Sequence, residues 1–450
     1  MKMFIPDYVK QMIEKLNRAG FEAYLVGGCV RDFMMGETPD DFDLATSALP
    51  EQVKGLFDHT VDTGIAHGTV TVIEETGICE VTTFRREGEY LDSRRPSSVS
   101  FITSLEEDLR RRDFTMNAMA FHPEKGIVDP FGGVMDIERK LIRCVGNPQK
   151  RFEEDALRML RAIRFACRLG FNLESATFRA IEENAFWIAR VSAERIRDEL
   201  DKAVMSPHPE NLNLLSVTGL SREILPWLDE CLQTPQNTPY HCFSVGGHML
   251  EALRLAEGNR TVKWAAFLHD MGKPRCRTTD DGGVDHFKGH ESVSAQMALE
   301  QLKLLCFDRK TRDRIATLIS HHRWSGGTSR YEVKKVMSQL GQGCFEELIA
   351  LMKADTLAHS KMAIPPRLKK IEEIEKTARQ ILQDGDPLTV ADLAVCGQEI
   401  AQTGLKGPQI GKALRLLLDD VLRCPEQNQK TVLLELLKNK EIDVEELGEG

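Results

Sequence analysis

Two aspartates, Asp41 and Asp43, stand two residues apart in the segment DFDL. Residues at i and i+2 of a strand face the same side, so the spacing predicts two neighbouring carboxylates. Two neighbouring carboxylates repel each other unless a divalent cation lies between them. Glu80, in a second predicted strand, is a candidate third carboxylate, and a solvent-facing glutamate is its alternative reading. This set indicates metal-assisted phosphoryl or nucleotidyl transfer.

A glycine pair precedes these aspartates in the chain. Residues 22–26 predict a short buried strand that stops at Gly27 and Gly28, and a helix is predicted to follow. Glycines let the backbone approach a bound group, and the first amides of a helix donate to anions. Arg31, one turn into that helix, adds a positive charge. Gly28 and Arg31 are therefore candidate triphosphate-binding residues.

The segment RFEEDALRMLRAIRFACRLGF, residues 151–171, has the apolar period of one amphipathic helix. Asp155 and Arg158 lie at i and i+3 on it, Arg161 continues the row, and Arg164 lies further round. The carboxylate can accept from the amino group of cytosine or adenine while the guanidinium donates to the ring nitrogen. Guanine and uracil invert that pattern, so such a pair would select C and A without a template. Surface ion pairs are the alternative reading of this spacing.

A second candidate metal site lies further along the chain. His248 precedes the segment HDMGKP, which places His269 and Asp270 at the end of an apolar helix, and Asp355 follows downstream. Imidazole and carboxylate ligands suit a divalent metal. Additional histidines in this region are His290, His321 and His322.

Composition bounds the class of protein. With 450 residues the chain is too long for one core, and its net charge of −10 is unlike that of a dedicated nucleic-acid coater, although arginines cluster in the first 170 residues. Eleven cysteines without a C-x-x-C pair indicate reduced thiols. We find no signal peptide or apolar span, and expect a cytoplasmic protein.

Several motifs carry a resemblance to a known family. GGCVRD with DDFDL, RRRDFTMNAMAF at residues 110–121, EDALRMLR and SAERIRDEL at residues 192–200 resemble the class II tRNA nucleotidyltransferase and bacterial poly(A) polymerase family, within the DNA-polymerase-β-like superfamily. The H…HD…D set resembles the HD phosphohydrolase superfamily.

The resemblance implies an α/β nucleotidyltransferase head followed by an all-α neck, an HD-containing body and a tail. The corresponding ranges are 1–145 for the head, 146–225 for the neck with base recognition, 226–360 for the HD domain and 361–450 for a helical tRNA-binding tail. The expected activity is addition of C, C and A to the 3′ end of tRNA from CTP and ATP, with release of pyrophosphate. The tRNA would be held at its 3′ end and elbow region.

Residue roles follow from the same resemblance. Asp41 and Asp43 would hold Mg²⁺. The nucleotide would contact Gly28, Arg31, Arg112, Asp155, Arg158, Arg161 and Arg164. SAERIRDEL would support the helix that carries the base-reading pair, and the arginine-rich segment 84–101 would act in switching from C to A addition.

Alternatives remain open at this point. A poly(A) polymerase or an A-adding tRNA enzyme shares the head motifs. From another class, the chain would be an HD phosphohydrolase, a 2′,3′-cyclic phosphodiesterase or phosphatase, with an RNA-binding head. His248, His269, Asp270 and Asp355 would then hold Mn, Ni, Co or Mg. The sequence leaves the oligomeric state open.

Overall fold

The computed structural model describes residues 4–87, 99–324 and 326–439. The chain forms two compact units. The first extends to Asp229 and includes Leu304–Cys306, and the second contains the remaining residues from Glu230 onward. Much of the segment predicted to act in C-to-A switching, residues 88–98, lies outside the described residues.

Strands are concentrated in the first unit. They are β1 (Ala23–Val26), β2 (Asp43–Thr46), β3 (Thr60–Gly64), β4 (Thr69–Glu74), β5 (Gly77–Thr83), β6 (Arg85–Glu87), β7 (Val99–Phe101), β8 (Ala120–His122), β9 (Gly126–Val128), β10 (Leu141–Ile142) and β11 (Asn172–Leu173). The second unit contains the short pair β12 (Thr278–Thr279) and β13 (Asp285–His286).

Helices dominate the rest of the chain. From the amino terminus they are α1 (Asp7–Arg18), α2 (Gly28–Met34), α3 (Pro50–Leu56), α4 (Leu105–Arg110), α5 (Gly133–Glu138), α6 (Pro148–Glu154), α7 (Leu157–Leu169), α8 (Ser175–Asn184), α9 (Ala193–Val204), α10 (Leu214–Val217), α11 (Ser221–Ile224) and α12 (Pro226–Gln233). They continue with α13 (Val245–Leu255), α14 (Arg260–Leu268), α15 (Lys273–Cys276), α16 (His290–Leu304), α17 (Arg309–His321), α18 (Arg330–Leu340), α19 (Gln342–Leu357), α20 (Ile364–Asp384), α21 (Gly397–Ala401), α22 (Pro408–Arg423) and α23 (Lys430–Asn439).

A seven-stranded mixed sheet lies at the centre of the first unit, with the strand order β3-β4-β5-β2-β1-β8-β9. The apolar strand β1 is buried along its whole length and runs antiparallel to β2 and β8. Strand β2 pairs in parallel with β5. The predicted strand at residues 22–26 and the predicted strand pair β4 and β5 are confirmed, as is the α/β fold class of this part of the chain.

One local prediction near the sheet is wrong in detail. Asp41 lies just before β2 rather than within it, because the ladder begins at Asp43. The hydroxyl of Ser47, which follows β2, accepts a hydrogen bond from the Glu22 amide. Leu49 occupies the cap position of α3, and its amide donates to the Gln52 side chain.

The predicted single helix over residues 151–171 is also wrong. It is divided at Asp155, which adopts an extended backbone with φ −148° and ψ 106° between α6 and α7. The Asp155 carboxylate accepts from the Leu157 amide at 3.1 Å and so satisfies an amide at the start of α7. Apolar residues keep their helical period across this break, which is why the sequence pattern conceals it. Helix α7 then packs against α9.

The second unit is almost entirely helical. Helix α14 lies among α13, α17 and α19, and the turn after α14 approaches α16 closely. A Cβ added at Gly272 in that turn would lie 2.7 Å from the Ser294 amide nitrogen. Breaks near residues 385–387 and 404–408 separate α20, α21 and α22. None of the helices in the described part of the chain combines the length and apolarity needed to cross a bilayer.

Candidate functional site

Three carboxylates gather at one end of the central sheet. Asp43 begins β2 and is the register partner of Glu80 on the parallel strand β5. Asp41 and Asp43 are exposed whereas Phe42 and Leu44 are buried, so the two aspartates share a face although Asp41 lies outside the strand. Partial removal from water by the surrounding protein is the main cause of the raised pKa of Asp43, and repulsion from the Glu80 carboxylate adds to it. The positive charge of Arg112 acts in the opposite direction. This mutual repulsion makes the cluster suited to a divalent cation.

The glycine turn beside these acids is shaped by Gly27 as much as by the predicted Gly28. Gly27 has φ +76°, a backbone conformation that favours glycine, and ends β1 where α2 begins. A Cβ at Gly27 would lie 3.1 Å from Nη1 of Arg112. Gly28 is the first residue of α2, and both glycines line the cleft described below.

Arg31 is held more tightly by the protein than its predicted role suggests. Its side chain is buried, with Nε and Nη2 donating to Asp32 Oδ1 at 2.8 and 2.6 Å. Nη1 donates to the Asn117 side chain at 2.7 Å. Arg31 lines the cleft, but these contacts make it part of the cleft's framework.

The side chains of Asp155 and Arg158 each have partners elsewhere in the first unit. Asp155 Oδ2 accepts from Arg195 on α9 at 2.7 Å. Arg158 pairs with Glu154 and donates to the backbone carbonyls of Arg111 and Arg151. The break at Asp155 explains the separate partners, and both side chains still line the cleft.

Arg161 and Arg164 are anchored by acids that sequence reasoning did not assign. Arg161 pairs with Asp113 at 2.6 Å, and Arg164 pairs with Glu199 on α9 at 2.5 Å. Burial of Asp113 acts to raise the pKa of its carboxyl group, but the charge of Arg161 outweighs this effect and lowers that pKa to about 2. Asp113 lies in the segment RRRDFTMNAMAF and Glu199 lies in SAERIRDEL, so these two motifs could have indicated both acids. The support of α7 by SAERIRDEL is visible in these contacts.

These groups surround one cleft of about 470 Å³ within the first unit. Eight arginines and three aspartates line it, so its wall is strongly cationic in a chain of net charge −10. The arginines are Arg31, Arg111, Arg112, Arg158, Arg161, Arg164, Arg168 and Arg195, and the acids are Asp43, Asp113 and Asp155. A cleft with this wall suits a polyanion whose metal-bound end meets the sheet.

The second predicted site also comes together. His248 lies in α13, His269 and Asp270 follow α14, and Asp355 lies in α19. His248 Nε2 is 2.8 Å from Asp355 Oδ1, and His269 Nε2 lies 3.4 Å from the same oxygen and 3.2 Å from Asp270 Oδ2. Residues distant in sequence thus converge in the interior of the second unit.

Two further histidines face the other oxygen of Asp270. Nε2 of His290 lies 3.1 Å and Nε2 of His322 lies 3.7 Å from Asp270 Oδ1. The Nδ1 atoms of His290 and His322 are 2.7 and 2.6 Å from backbone carbonyls, which leaves each Nε2 directed at the carboxylate. The adjacent His321 is directed elsewhere, with Nδ1 against Thr317 and Ser320.

The buried atoms of this cluster fit a metal ion. Both carboxylate oxygens of Asp270 and Nε2 of His269 are buried, and Asp270 Oδ2 forms an ion pair with Lys273 Nζ at 2.6 Å. Burial acts to lower the pKa of His269, but the Asp270 carboxylate raises it to about 10. The neighbouring histidines hold the pKa values of Asp270 and Asp355 well below their usual range. A divalent cation supplies the positive charge that a proton on His269 otherwise supplies.

The surrounding cavity, which measures about 330 Å³, is lined by residues that sequence reasoning missed, three of which bear on its charge. They are His241, His359 and Arg367, and Arg367 approaches His359 Nε2 at 2.6 Å. Burial lowers the pKa of His241 to about 2 and that of His359 to about 4, so both imidazoles are neutral. His241 and His359 stand outside the recognised motifs, so the sequence alone did not indicate that they line this cavity.

Family models match three segments of the chain. Residues 23–143 match the "Poly A polymerase head domain", residues 170–232 match the "Probable RNA and SrmB- binding site of polymerase A", and residues 240–379 match the "HD domain". The first match contains the carboxylates at the end of the sheet, and the third contains the histidine cluster of the second unit.

Curated relatives and solved structures agree with these matches. CCA-adding enzymes of Geobacillus thermodenitrificans and Limosilactobacillus reuteri are 53% and 49% identical over 220 and 212 residues, about half of this chain. The chain spans about half the length of these relatives, 54% and 53%. The Bacillus stearothermophilus CCA-adding enzyme in complex with CTP is 30% identical, with a TM-score of 0.75 and coverage of 98% of this chain and 100% of that one. The Thermotoga maritima CCA-adding enzyme complexed with tRNA shares the fold at 20% identity, with a TM-score of 0.58 and coverage of 97% of this chain and 96% of that one.

Proposed function

Because this chain belongs to the family of CCA-adding enzymes, we propose that it adds C, C and A to the 3′ end of tRNA without a nucleic-acid template. CTP and ATP would be the substrates, and pyrophosphate would leave. The observation that carries this proposal is the single cleft, in which the aspartate end of the sheet and the Asp155 and Arg158 side chains meet among eight arginines.

The sheet end would hold Mg²⁺ through Asp41 and Asp43, with Glu80 beside them. When bound, the ion would lower the pKa of the RNA 3′ hydroxyl and neutralise charge on the triphosphate. The turn at Gly27 and Gly28 lets the triphosphate approach the backbone, and Arg112 lies against that turn. These positions suit a phosphate chain that extends from the sheet toward α7.

At the other end of the cleft, Asp155 and Arg158 would read the base. The Asp155 carboxylate would accept from the exocyclic amino group that cytosine and adenine share, and Arg158 would donate to the adjacent ring nitrogen. Arg195 contacts the Asp155 side chain and Glu154 contacts the Arg158 side chain, so each keeps a defined orientation. Uracil and guanine would leave a polar group unpaired, at a cost of about 1–3 kcal/mol.

The wider assignment extends this proposal to the partners and parts of the chain. We assign residues 1–145 to the catalytic head, 146–225 to the base-reading neck, 226–360 to the HD domain and 361–450 to a tail that binds tRNA. A cytoplasmic location agrees with eleven free cysteines, six of them buried thiols.

Asp41→Ala and Asp43→Ala test the catalytic assignment. Each variant is expected to reduce nucleotide incorporation to background, because the cation would lose a ligand, while exposed Asp40→Ala retains activity. Wild-type incorporation by both cluster variants would contradict the assignment.

A second candidate function is metal-dependent hydrolysis of a phosphate ester in the second unit. It is favoured by Asp270, whose two oxygens face separate histidine pairs: His248 and His269 on one side, His290 and His322 on the other. Mn, Ni, Co or Mg would be held by His248, His269, Asp270 and Asp355.

Hydrolysis of a 2′,3′-cyclic nucleotide and of p-nitrophenyl phosphate, each with Mn²⁺ and with Ni²⁺, tests this second function. Activity is expected in wild type and in Asp41→Ala, and loss is expected in Asp270→Asn. Exposed Asp280→Asn serves as the control in the same unit. Activity that survives in Asp270→Asn, or that disappears in Asp41→Ala, would contradict an independent second site.

A further inference from the structure

One aromatic ring lies beneath the arginines of the cleft. Phe165 on α7 is 3% exposed, and its ring contributes to the cleft wall. The guanidinium carbon of Arg164 lies 4.1 Å from the ring centroid, and those of Arg31 and Arg161 lie 5.4 and 5.7 Å away. Three cations thus share a single phenyl ring.

Each of these arginines also has a carboxylate partner, and Arg31 is held further by Asn117. Asp32, Asp113 and Glu199 each reach one edge of a guanidinium, from three different segments of the chain. Among the contacts of the described residues, the Phe165 ring is shared by all three arginines. Because Arg31 and Arg164 are largely removed from water, attraction between their charge and the ring quadrupole is only weakly screened.

We propose that Phe165 is a positioning residue for nucleotide binding, whose π electrons hold Arg31, Arg161 and Arg164 in their orientation toward the triphosphate and base. This inference rests on the proposed function of the cleft. An aliphatic side chain such as leucine would occupy most of the space beneath the arginines but would not attract their charge. Phe114, which meets Phe165 edge to face at 5.7 Å and 82°, keeps the ring plane in place.

Fluorinated phenylalanines separate ring charge from ring volume. We would incorporate 4-fluoro-, 3,5-difluoro- and 3,4,5-trifluorophenylalanine at position 165 of the full chain and measure Kd for CTP and ATP by calorimetry with Ca²⁺. Each fluorine weakens the quadrupole with little change in shape, so Kd is expected to rise stepwise, to roughly tenfold for the trifluoro variant. The same series at Phe152, which is fully buried and has no cation over its ring within the described chain, is expected to leave Kd within about twofold.

A Kd that does not change along the position 165 series would overturn the inference, as would an equal rise at position 152. A wild-type chain that binds CTP and ATP but adds neither to tRNA would contradict the proposed function alone, and the affinity series would still decide the role of Phe165. A wild-type chain that binds neither nucleotide would overturn both.

Discussion

Asp113 and Arg161 form a 2.6 Å ion pair that joins the segment after α4 to helix α7. Asp113 is buried, and its carboxylate also accepts from the Phe114 amide and the Asn117 side chain. The pair therefore connects the part of the cleft next to the sheet with the helix that carries Arg158, one of the two residues proposed to read the base.

Replacing this acid should destabilise the first unit in a pH-dependent way. Asp113→Asn is expected to lower the free energy of unfolding by about 2 kcal/mol at pH 7, because the pKa of Asp113 lies at about 2 in the folded chain. A depressed pKa stabilises the fold above the unfolded value of about 3.9, and this contribution is lost as the pH falls toward 2.

Urea unfolding at pH 7, 4 and 3 measures the effect. The difference between wild type and Asp113→Asn should shrink as the pH is lowered. Exposed Asp7→Asn, whose side chain is 88% exposed, should differ little from wild type at any pH. A pH-independent difference for Asp113→Asn would show that packing, not charge, causes the loss.

A methyl group at Gly27 should impair nucleotide binding beyond its effect on stability. Gly27→Ala strains a backbone at φ +76° and places a Cβ 3.1 Å from Arg112 Nη1. Gly36→Ala has the same kind of strain at φ +80° with no atom within 4 Å of its Cβ. Both variants should lose about 1 kcal/mol of stability.

Steady-state kinetics on tRNA distinguish the two glycine variants. KM for CTP and ATP should rise several-fold in Gly27→Ala and stay near the wild-type value in Gly36→Ala. An equal rise in both would assign the effect to backbone strain and remove Arg112 from the explanation.

Asp155→Asn should relax base selection. An amide can donate as well as accept, so the penalty against uracil falls, and kcat/KM for CTP relative to UTP should drop by about 10- to 100-fold. Competition between CTP and UTP on one tRNA measures this ratio, with exposed Glu153→Gln as the neighbouring control. An unchanged ratio in Asp155→Asn would exclude this carboxylate from base reading.

Local patterns predicted the elements but not their partners. The strand, glycine turn and DFDL segment lie where alternation and turn residues place them, because these signals depend on neighbours in sequence. The break at Asp155 was hidden, since a side chain that accepts from the Leu157 amide leaves the apolar period intact.

Long-range contacts explain the remaining differences. The hydrogen bond from Arg31 to Asn117 and the attachment of Arg164 to Glu199 depend on packing between segments distant in the chain. The histidine cluster was found through its motif, whereas His241 and His359 became visible only once the helices of the second unit were assembled.

The most direct test of the central claim is incorporation of labelled CTP and ATP, separately and together, on three RNAs. These are a tRNA transcript that ends before CCA, one that ends after CC, and an unstructured RNA. We expect two C and one A on the first, a single A on the second and little on the third. Addition of A only to the CC-ended transcript, long A tails on any RNA, or no addition at all would contradict CCA addition by this chain.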